Sequence, residues 1–80
     1  MKTLILYGTL GCHLCEQALE LITPLVASEY DLVEIDISDS DELIERYGVR
    51  IPVVAIQGCE AEIGWPFNSE RFVNFLQAAH

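Results

Sequence analysis

Two cysteines three positions apart, Cys12 and Cys15, are the residues of this chain best suited to chemistry. They follow a short apolar run that ends at Gly8, and they open a segment with helical periodicity. The first turn of a helix presents unpaired backbone N–H groups and the positive end of the helix dipole, and both stabilise a thiolate there. Because residues i and i+3 share a helix face, the spacing predicts a dithiol centre. In it Cys12 is the exposed nucleophile and Cys15 the thiol that resolves a mixed disulfide.

His13 stands directly after the predicted nucleophile. If protonated, its imidazolium would stabilise the Cys12 thiolate further. The alternative is a solvent-facing histidine without a role. Glu16 carries the opposite charge and would work against thiolate formation.

A metal site is the main alternative for the two cysteines. Soft thiolates suit Cu(I), and copper-chaperone domains also place Cys-x-x-Cys after their first strand. That fold ends on a strand, whereas this chain is predicted to end on a helix. A zinc site needs about four ligands, and the sequence supplies three cysteines and two histidines without a second Cys-x-x-Cys. A non-enzymatic module that binds Cu(I), zinc or an iron–sulfur cluster through these thiols therefore stays open.

The strands that must position these thiols follow from the hydrophobic pattern. Continuous apolar runs at 2–7 and 52–56 predict central strands, and alternating segments at 30–37 and 60–65 predict strands at the sheet edges. The turn at 57–60 makes the last strand antiparallel to its neighbour. A right-handed crossover predicts that the first three strands are parallel.

Three helices are predicted between and after these strands. The first runs from Cys12 to about Ser28 with a kink at Pro24, the second ends at Gly48, and Asn68 caps the third. Caps for the second lie within 38–42. The predicted buried stripes are Leu14, Ala18, Leu21, Ile22 and Leu25; Leu43, Ile44 and Tyr47; and Phe72, Phe75, Leu76 and Ala79. The order βαβαββα predicts one α/β domain over residues 1–80, with a four-stranded mixed sheet in spatial order 2-1-3-4 and helices on both faces.

This pattern resembles the thioredoxin superfamily over essentially the whole chain. The shared features are the Cys-x-x-Cys at the first strand–helix junction, the Ile51-Pro52 strand start and the order of elements. The compact length is similar to that of glutaredoxin and glutaredoxin-like proteins. The resemblance implies a thioredoxin-like fold and a thiol–disulfide oxidoreductase whose catalytic residues are Cys12 and Cys15.

The resemblance also implies a substrate site. In the family the proline that opens the third strand is cis and lies against the cysteines, and the position matching it is Pro52. The backbone of the preceding residue, here Ile51, pairs with the substrate as an added strand would. Tyr7 occupies the place where glutaredoxins often carry an aromatic residue. We therefore expect Tyr7, His13, Ile51 and Pro52 to line the substrate site.

The sequence departs from glutaredoxins where glutathione binds. The residues between its two cysteines are His-Leu, where glutaredoxins commonly have Pro-Tyr, and no lysine stands just before the cysteines. Near the last helix, the segment Gly-Trp-Pro-Phe-Asn at 64–68 replaces the Gly-Gly motif and the acids that follow it in glutaredoxins. Glutathione is anionic, and this chain has a net charge of −9. A redox role is therefore better supported than glutathione specificity. Glutathione remains a possible electron donor, and no tightly bound cofactor is expected.

Composition excludes several classes of function. Thirteen acidic residues against four basic ones repel phosphate, which excludes nucleic acids and anionic membranes as partners. Apolar runs are too short for a membrane span, and the run before Gly8 is too short for a signal peptide. A cytoplasmic monomer is expected, acting on a disulfide-containing protein or a low-molecular-weight thiol. Cys59 is expected to be an incidental exposed thiol, and Arg50 either to hold a substrate carboxylate or to pair with a local acid.

Overall fold

The structure, a computed structural model, describes residues 2–26 and 29–78. The elements in chain order are β1 (Lys2–Gly8), α1 (His13–Val26), β2 (Tyr30–Asp36), a short 3₁₀ helix (Ile37–Asp39), α2 (Asp41–Tyr47), β3 (Val53–Ile56), β4 (Glu62–Gly64) and α3 (Ser69–Ala78). The predicted βαβαββα order is confirmed. The predicted end of α1 at Ser28 and the predicted core position Ala79 lie outside the described residues.

The four strands form one sheet in the order β2-β1-β3-β4, as predicted. β1 and β2 are parallel, with Gly8 opposite Asp36. β3 is antiparallel both to β1, with Tyr7 opposite Val53, and to β4. The prediction that the first three strands are parallel is therefore wrong for β3.

The antiparallel direction of β3 reflects the end of the sheet at which this strand begins. β2 ends beside the end of β1, and β3 begins beside that same end. The connection from Asp36 to Val53 has 16 residues, which is enough for a parallel crossover, but its α-helix has seven residues and is about 10 Å long, about half the length of the seven-residue strand β1. The chain does not return to the other end of the sheet. As a consequence, the Ile51–Pro52 segment and the Cys12 loop lie at the same end of the sheet, which a parallel β3 would have prevented.

The two faces of the sheet carry cores of different size. A large apolar cluster lies against α1 and α3, and its buried residues are Leu4, Leu6, Ala18, Ile22, Val26, Tyr30, Val54, Ile56, Phe67, Phe72 and Leu76. A small cluster of Ile37, Tyr47 and Val53 lies on the α2 side, with Tyr7, Leu43 and Ile51 packed against it. Successive side chains of β1 point to opposite faces, so Leu6 belongs to the first cluster and Tyr7 to the second. The predicted helices on both faces are confirmed.

Two residues predicted to be buried are exposed. Leu14 is 46% exposed and Ile44 is 44% exposed. The buried residues of α1 are Cys15, Ala18, Ile22 and Val26, and the buried residue of α2 is Tyr47. The periodic pattern shows which residues form the apolar face of a helix. Which residues at the edges of that face become buried depends on how the helix packs against the sheet.

The caps of α2 and α3 agree with prediction. The Ser40 hydroxyl accepts the Leu43 N–H at 3.3 Å, and the Asn68 side chain accepts the Arg71 N–H at 2.8 Å. Gly48 ends α2 in a right-handed conformation (φ −50°), and its N–H donates to the Ile44 carbonyl at 2.7 Å. A Cβ at Gly48 would collide with that carbonyl oxygen. Glycine is therefore needed here for space and not for a positive φ.

Candidate functional site

Cys12 precedes α1 directly, and Cys15 lies in its first turn. The backbone N–H of Cys15 donates to the Cys12 sulfur over 3.2 Å. This is the contact expected where the unpaired N–H groups of a helix start face a cysteine sulfur. No disulfide joins Cys12 and Cys15, which are both thiols in this structure.

The two thiols have different surroundings. Cys12 is half-buried, whereas Cys15 is only 8% exposed and packs against the last residue of β1. A Cβ added to Gly8 would lie 2.7 Å from the Cys15 sulfur, so glycine leaves the space that this thiol occupies. Burial raises the pKa of Cys15 to about 11, and its hydrogen bond with Cys12 adds to this, against an opposing bond from the Thr9 backbone. Cys15 is therefore held as a protonated thiol at neutral pH.

His13 points into solvent beside the nucleophile. Its side chain is 91% exposed, and its Nδ1 lies 3.7 Å from a carboxylate oxygen of Glu16. The side-chain partner that the structure gives His13 is therefore an acid and not the Cys12 sulfur.

Two of the other predicted substrate residues, Tyr7 and Ile51, lie on the α2 side of the same sheet end. The Tyr7 ring stacks on the Tyr47 ring, with centroids 4.3 Å apart and planes at 17°. Tyr7 and Ile51 both pack against the small cluster, and Pro52 is fully buried. The Ile51–Pro52 peptide bond is cis, as is Trp65–Pro66. The structure thus brings Tyr7 close to Ile51 through a shared cluster, and Cys12 close to Cys15 through a hydrogen bond. The last residues of β1 link the two groups.

A polar network on this side was not apparent from the sequence. The Tyr47 hydroxyl donates to one oxygen of Glu62 over 3.0 Å, and Arg50 donates to the other over 2.6 Å. Although burial acts to raise the pKa of Glu62, the bonds from Arg50 and Tyr47 outweigh it and lower that pKa. Of the two alternatives for Arg50, the structure shows the pairing with a local acid. The partners are twelve or more positions apart, so no local pattern signals them.

The same network holds the segment before β3. The Tyr47 carbonyl accepts the N–H of Arg50 at 2.8 Å and that of Ile51 at 3.1 Å. The Ile51 N–H is therefore already engaged within the protein. A substrate strand that pairs here would use the Ile51 carbonyl or displace this bond.

A cavity of about 290 Å³ reaches Cys15 from the β2 side, and its lining residues are Leu6, Gly8, Thr9, Leu10, Cys15, Glu34, Ile35 and Asp36. Hydrogen bonds from the hydroxyl and N–H of Ser38, and a further one from the Leu10 backbone, lower the pKa of Asp36. Asp36 lies opposite Gly8 at the end of β2, beside the loop that leads to Cys12.

Cys59 is exposed, as predicted, in the turn between β3 and β4. Within residues 2–26 and 29–78, no three His, Cys, Asp or Glu side chains are grouped as metal ligands. The helices of that part of the chain are too short or too polar to cross a bilayer.

Comparison with known proteins places this geometry in a family. The crystal structure of protein XcR50 from X. campestris is 35% identical, with 96% of this chain and 99% of that chain covered and a TM-score of 0.84. Protein Ne2328 from Nitrosomonas europaea is 28% identical, with 92% and 89% covered and a TM-score of 0.78. Thioredoxin from Trichomonas vaginalis, 19% identical with 96% and 78% covered and a TM-score of 0.53, shares the fold.

No curated protein sequence matches the chain. The model of the glutaredoxin-like domain family (DUF836) matches residues 3–77, nearly the whole sequence. With the thioredoxin-like fold and the adjacent cysteine pair, this match shows that the chain belongs to the glutaredoxin-like domain family.

Proposed function

We propose that this protein is a thiol–disulfide oxidoreductase that works through the Cys12–Cys15 dithiol. The observation that carries the proposal is the asymmetry of the pair. Cys12 lies at a helix start and receives a backbone N–H bond, whereas Cys15 is buried and held protonated one turn further on. Such an arrangement separates an attacking sulfur from a resolving one.

The reaction balances as two exchanges. The Cys12 thiolate attacks one sulfur of a disulfide RSSR, which forms a Cys12–SR bond and releases RS⁻. Cys15 then loses its proton, and its sulfur attacks Cys12, which closes the Cys12–Cys15 disulfide and releases the second RS⁻. The substrate gains two electrons and the dithiol loses two. The protons of the two protein thiols end on the two leaving thiolates.

Withdrawal of the Cys15 proton is favoured only after Cys12 has been consumed. In the mixed disulfide Cys12 no longer carries a thiolate, so the repulsion between two neighbouring thiolates is absent. A hydrogen bond with Cys12 contributes to the raised pKa of Cys15. In the mixed disulfide the Cys12 partner of that bond is a disulfide sulfur and no longer a thiol. The second exchange therefore follows the first.

The substrate proposed is a disulfide-containing protein or a low-molecular-weight disulfide. Tyr7 and Ile51 form a partly exposed border at the sheet end where the Cys12 loop begins. The Ile51 carbonyl is the backbone group that we propose for strand-like pairing, because the N–H is engaged. Glutathione is one possible electron donor, and the mechanism needs no tightly bound cofactor.

The first test is the reduction potential of the pair in a Cys59→Ser background. The protein is equilibrated with defined ratios of reduced to oxidised glutathione, and its thiols are quenched and counted by mass. We expect a two-electron transition between roughly −120 and −270 mV, the range of working dithiol oxidoreductases. Thiols that stay reduced across the whole series would overturn the proposal.

The second test assigns the roles of the two sulfurs. In the same background, Cys15→Ser should accumulate a mixed disulfide on Cys12 when a small disulfide is added. Cys12→Ser should form far less adduct, because Cys15 is buried and protonated. Equal adduct formation by the two variants would contradict the assignment. Stoichiometric Cu(I) or zinc binding that both variants lose, without adducts, would favour the metal-binding alternative.

A further inference from the structure

Arg50 is the basic side chain closest in sequence to the Ile51–Pro52 segment of the proposed substrate site. The chain has only four basic residues. Of the other three, Lys2 begins β1 at the far end of that strand, Arg71 lies on α3, and Arg46 lies on α2. The guanidinium groups of Arg46 and Arg50 lie 5.4 and 5.5 Å from the centre of the Tyr47 ring. Because Arg50 adjoins Ile51 in the chain, it is the basic residue to test for binding of a substrate carboxylate.

The structure gives Arg50 an internal partner instead. Its guanidinium donates to Glu62 over 2.6 Å, and the Glu62 side chain is only 21% exposed. Glu62 is itself tied down by the Tyr47 hydroxyl on its other oxygen. The carboxylate is therefore a fixed partner, and an incoming carboxylate would have to displace it or approach against its charge.

The histidine beside the nucleophile also has an acidic neighbour, and both of these side chains are largely exposed. His13 lies 3.7 Å from Glu16, so an imidazolium there would face an acid. Among the described residues, the cavity that reaches Cys15 is lined by two carboxylates, Glu34 and Asp36, and by no basic side chain. The whole chain has a net charge of −9. An anionic disulfide is therefore attracted only weakly to this site.

We propose that Glu62 determines the substrate class of this site: by pairing with Arg50 it makes the site prefer neutral or cationic disulfides over carboxylate-bearing ones such as glutathione disulfide. This inference rests on the proposed oxidoreductase function. It assigns to Glu62 a role in specificity and none in the chemical step.

The experiment compares three disulfides as oxidants of the reduced Cys59→Ser protein at low ionic strength. They are glutathione disulfide, which is anionic, bis(2-hydroxyethyl) disulfide, which is neutral, and cystamine, which is cationic. The quantity measured is the second-order rate of dithiol loss, expressed as the ratio of each charged disulfide to the neutral one. The neutral rate in the denominator cancels any general effect of a substitution on the thiols.

Glu62→Gln keeps the shape of the side chain but removes the charge that neutralises Arg50. We expect it to raise the ratio of glutathione disulfide to neutral disulfide roughly three- to fivefold, the effect of one exposed ion pair, and to lower the cystamine ratio. The matched control is Glu60→Gln, an exposed residue of the neighbouring turn, which makes the same change in net charge. Adding Arg50→Gln to Glu62→Gln should return the ratio toward the parent value.

Equal ratios in Glu62→Gln and Glu60→Gln would overturn the inference, since net charge alone would then explain the preference. A ratio that stays high after Arg50→Gln is added would also overturn it. A parent protein that fails to react with the neutral disulfide would instead contradict the proposed function, so the two failures are distinguishable. The difference between variants should shrink in high salt, because exposed charges are screened.

Discussion

The two faces of the sheet are held by different forces. Among the described residues, the face under α1 and α3 buries eleven in one apolar cluster, which includes the fully buried Phe72. The face under α2 buries three of them and adds the hydrogen-bonded network of Tyr47, Glu62 and Arg50. α2 has only seven residues, so it cannot cover enough apolar surface to match the other face. Directional polar contacts take over part of that role.

This difference bears on how the site is built. Cys15 belongs to the helix on the apolar face, whereas Ile51 belongs to the face held by hydrogen bonds. The end of β1 lies between them, with Gly8 packed against Cys15 and Tyr7 stacked on Tyr47. The reactive thiols are thus anchored by apolar burial, and the proposed substrate border is held by polar contacts that single substitutions can adjust.

The largest expected effect is on the apolar face. Phe72→Ala should lower the free energy of unfolding by about 3–5 kcal/mol, because it removes a fully buried ring that stacks on Phe67. The matched substitution is Phe75→Ala, a half-buried ring of the same helix, which should cost clearly less. Urea denaturation followed by circular dichroism measures both. Equal losses would contradict the view that Phe72 is the centre of this core.

An intermediate effect is expected where the apolar face meets the thiols. Gly8→Ala should destabilise the protein by about 1–3 kcal/mol, because the new Cβ would lie 2.7 Å from the Cys15 sulfur and 3.2 Å from its Cβ. It should also speed alkylation of Cys15, measured by mass, because the side chain must shift. Gly64→Ala is the control: its Cβ would meet nothing within 4 Å. The same loss in both variants would point to backbone effects instead.

The smallest expected effect is on the polar face. Tyr47→Phe should lower the free energy of unfolding by about 0.5–1.5 kcal/mol, since it removes one hydrogen bond to Glu62 and leaves the ring in place. A double-mutant cycle with Glu62→Gln checks the origin of the loss. The combined loss should be smaller than the sum of the single losses. Additive losses would show that the hydroxyl and the carboxylate do not depend on each other.

Much of this protein could be predicted from local patterns. Strand and helix order, the central and edge strands, the Ser40 and Asn68 caps and the dithiol at a helix start each depend on residues close in sequence. Periodicity, turn residues and the three-residue spacing carry that information, because they reflect the geometry of a single element and its ends.

Other features were decided only by the tertiary structure. The direction of β3 depends on its pairing with β1 and β4, and the exposure of Leu14 and Ile44 depends on how their helices dock. The pairing of Arg50 with Glu62 joins residues twelve positions apart on different elements. The sequence by itself determined that a dithiol stands at the start of α1. Only long-range packing decided that Ile51 shares its end of the sheet and that Arg50 is already neutralised, because those facts arise from contacts between elements that no local pattern encodes.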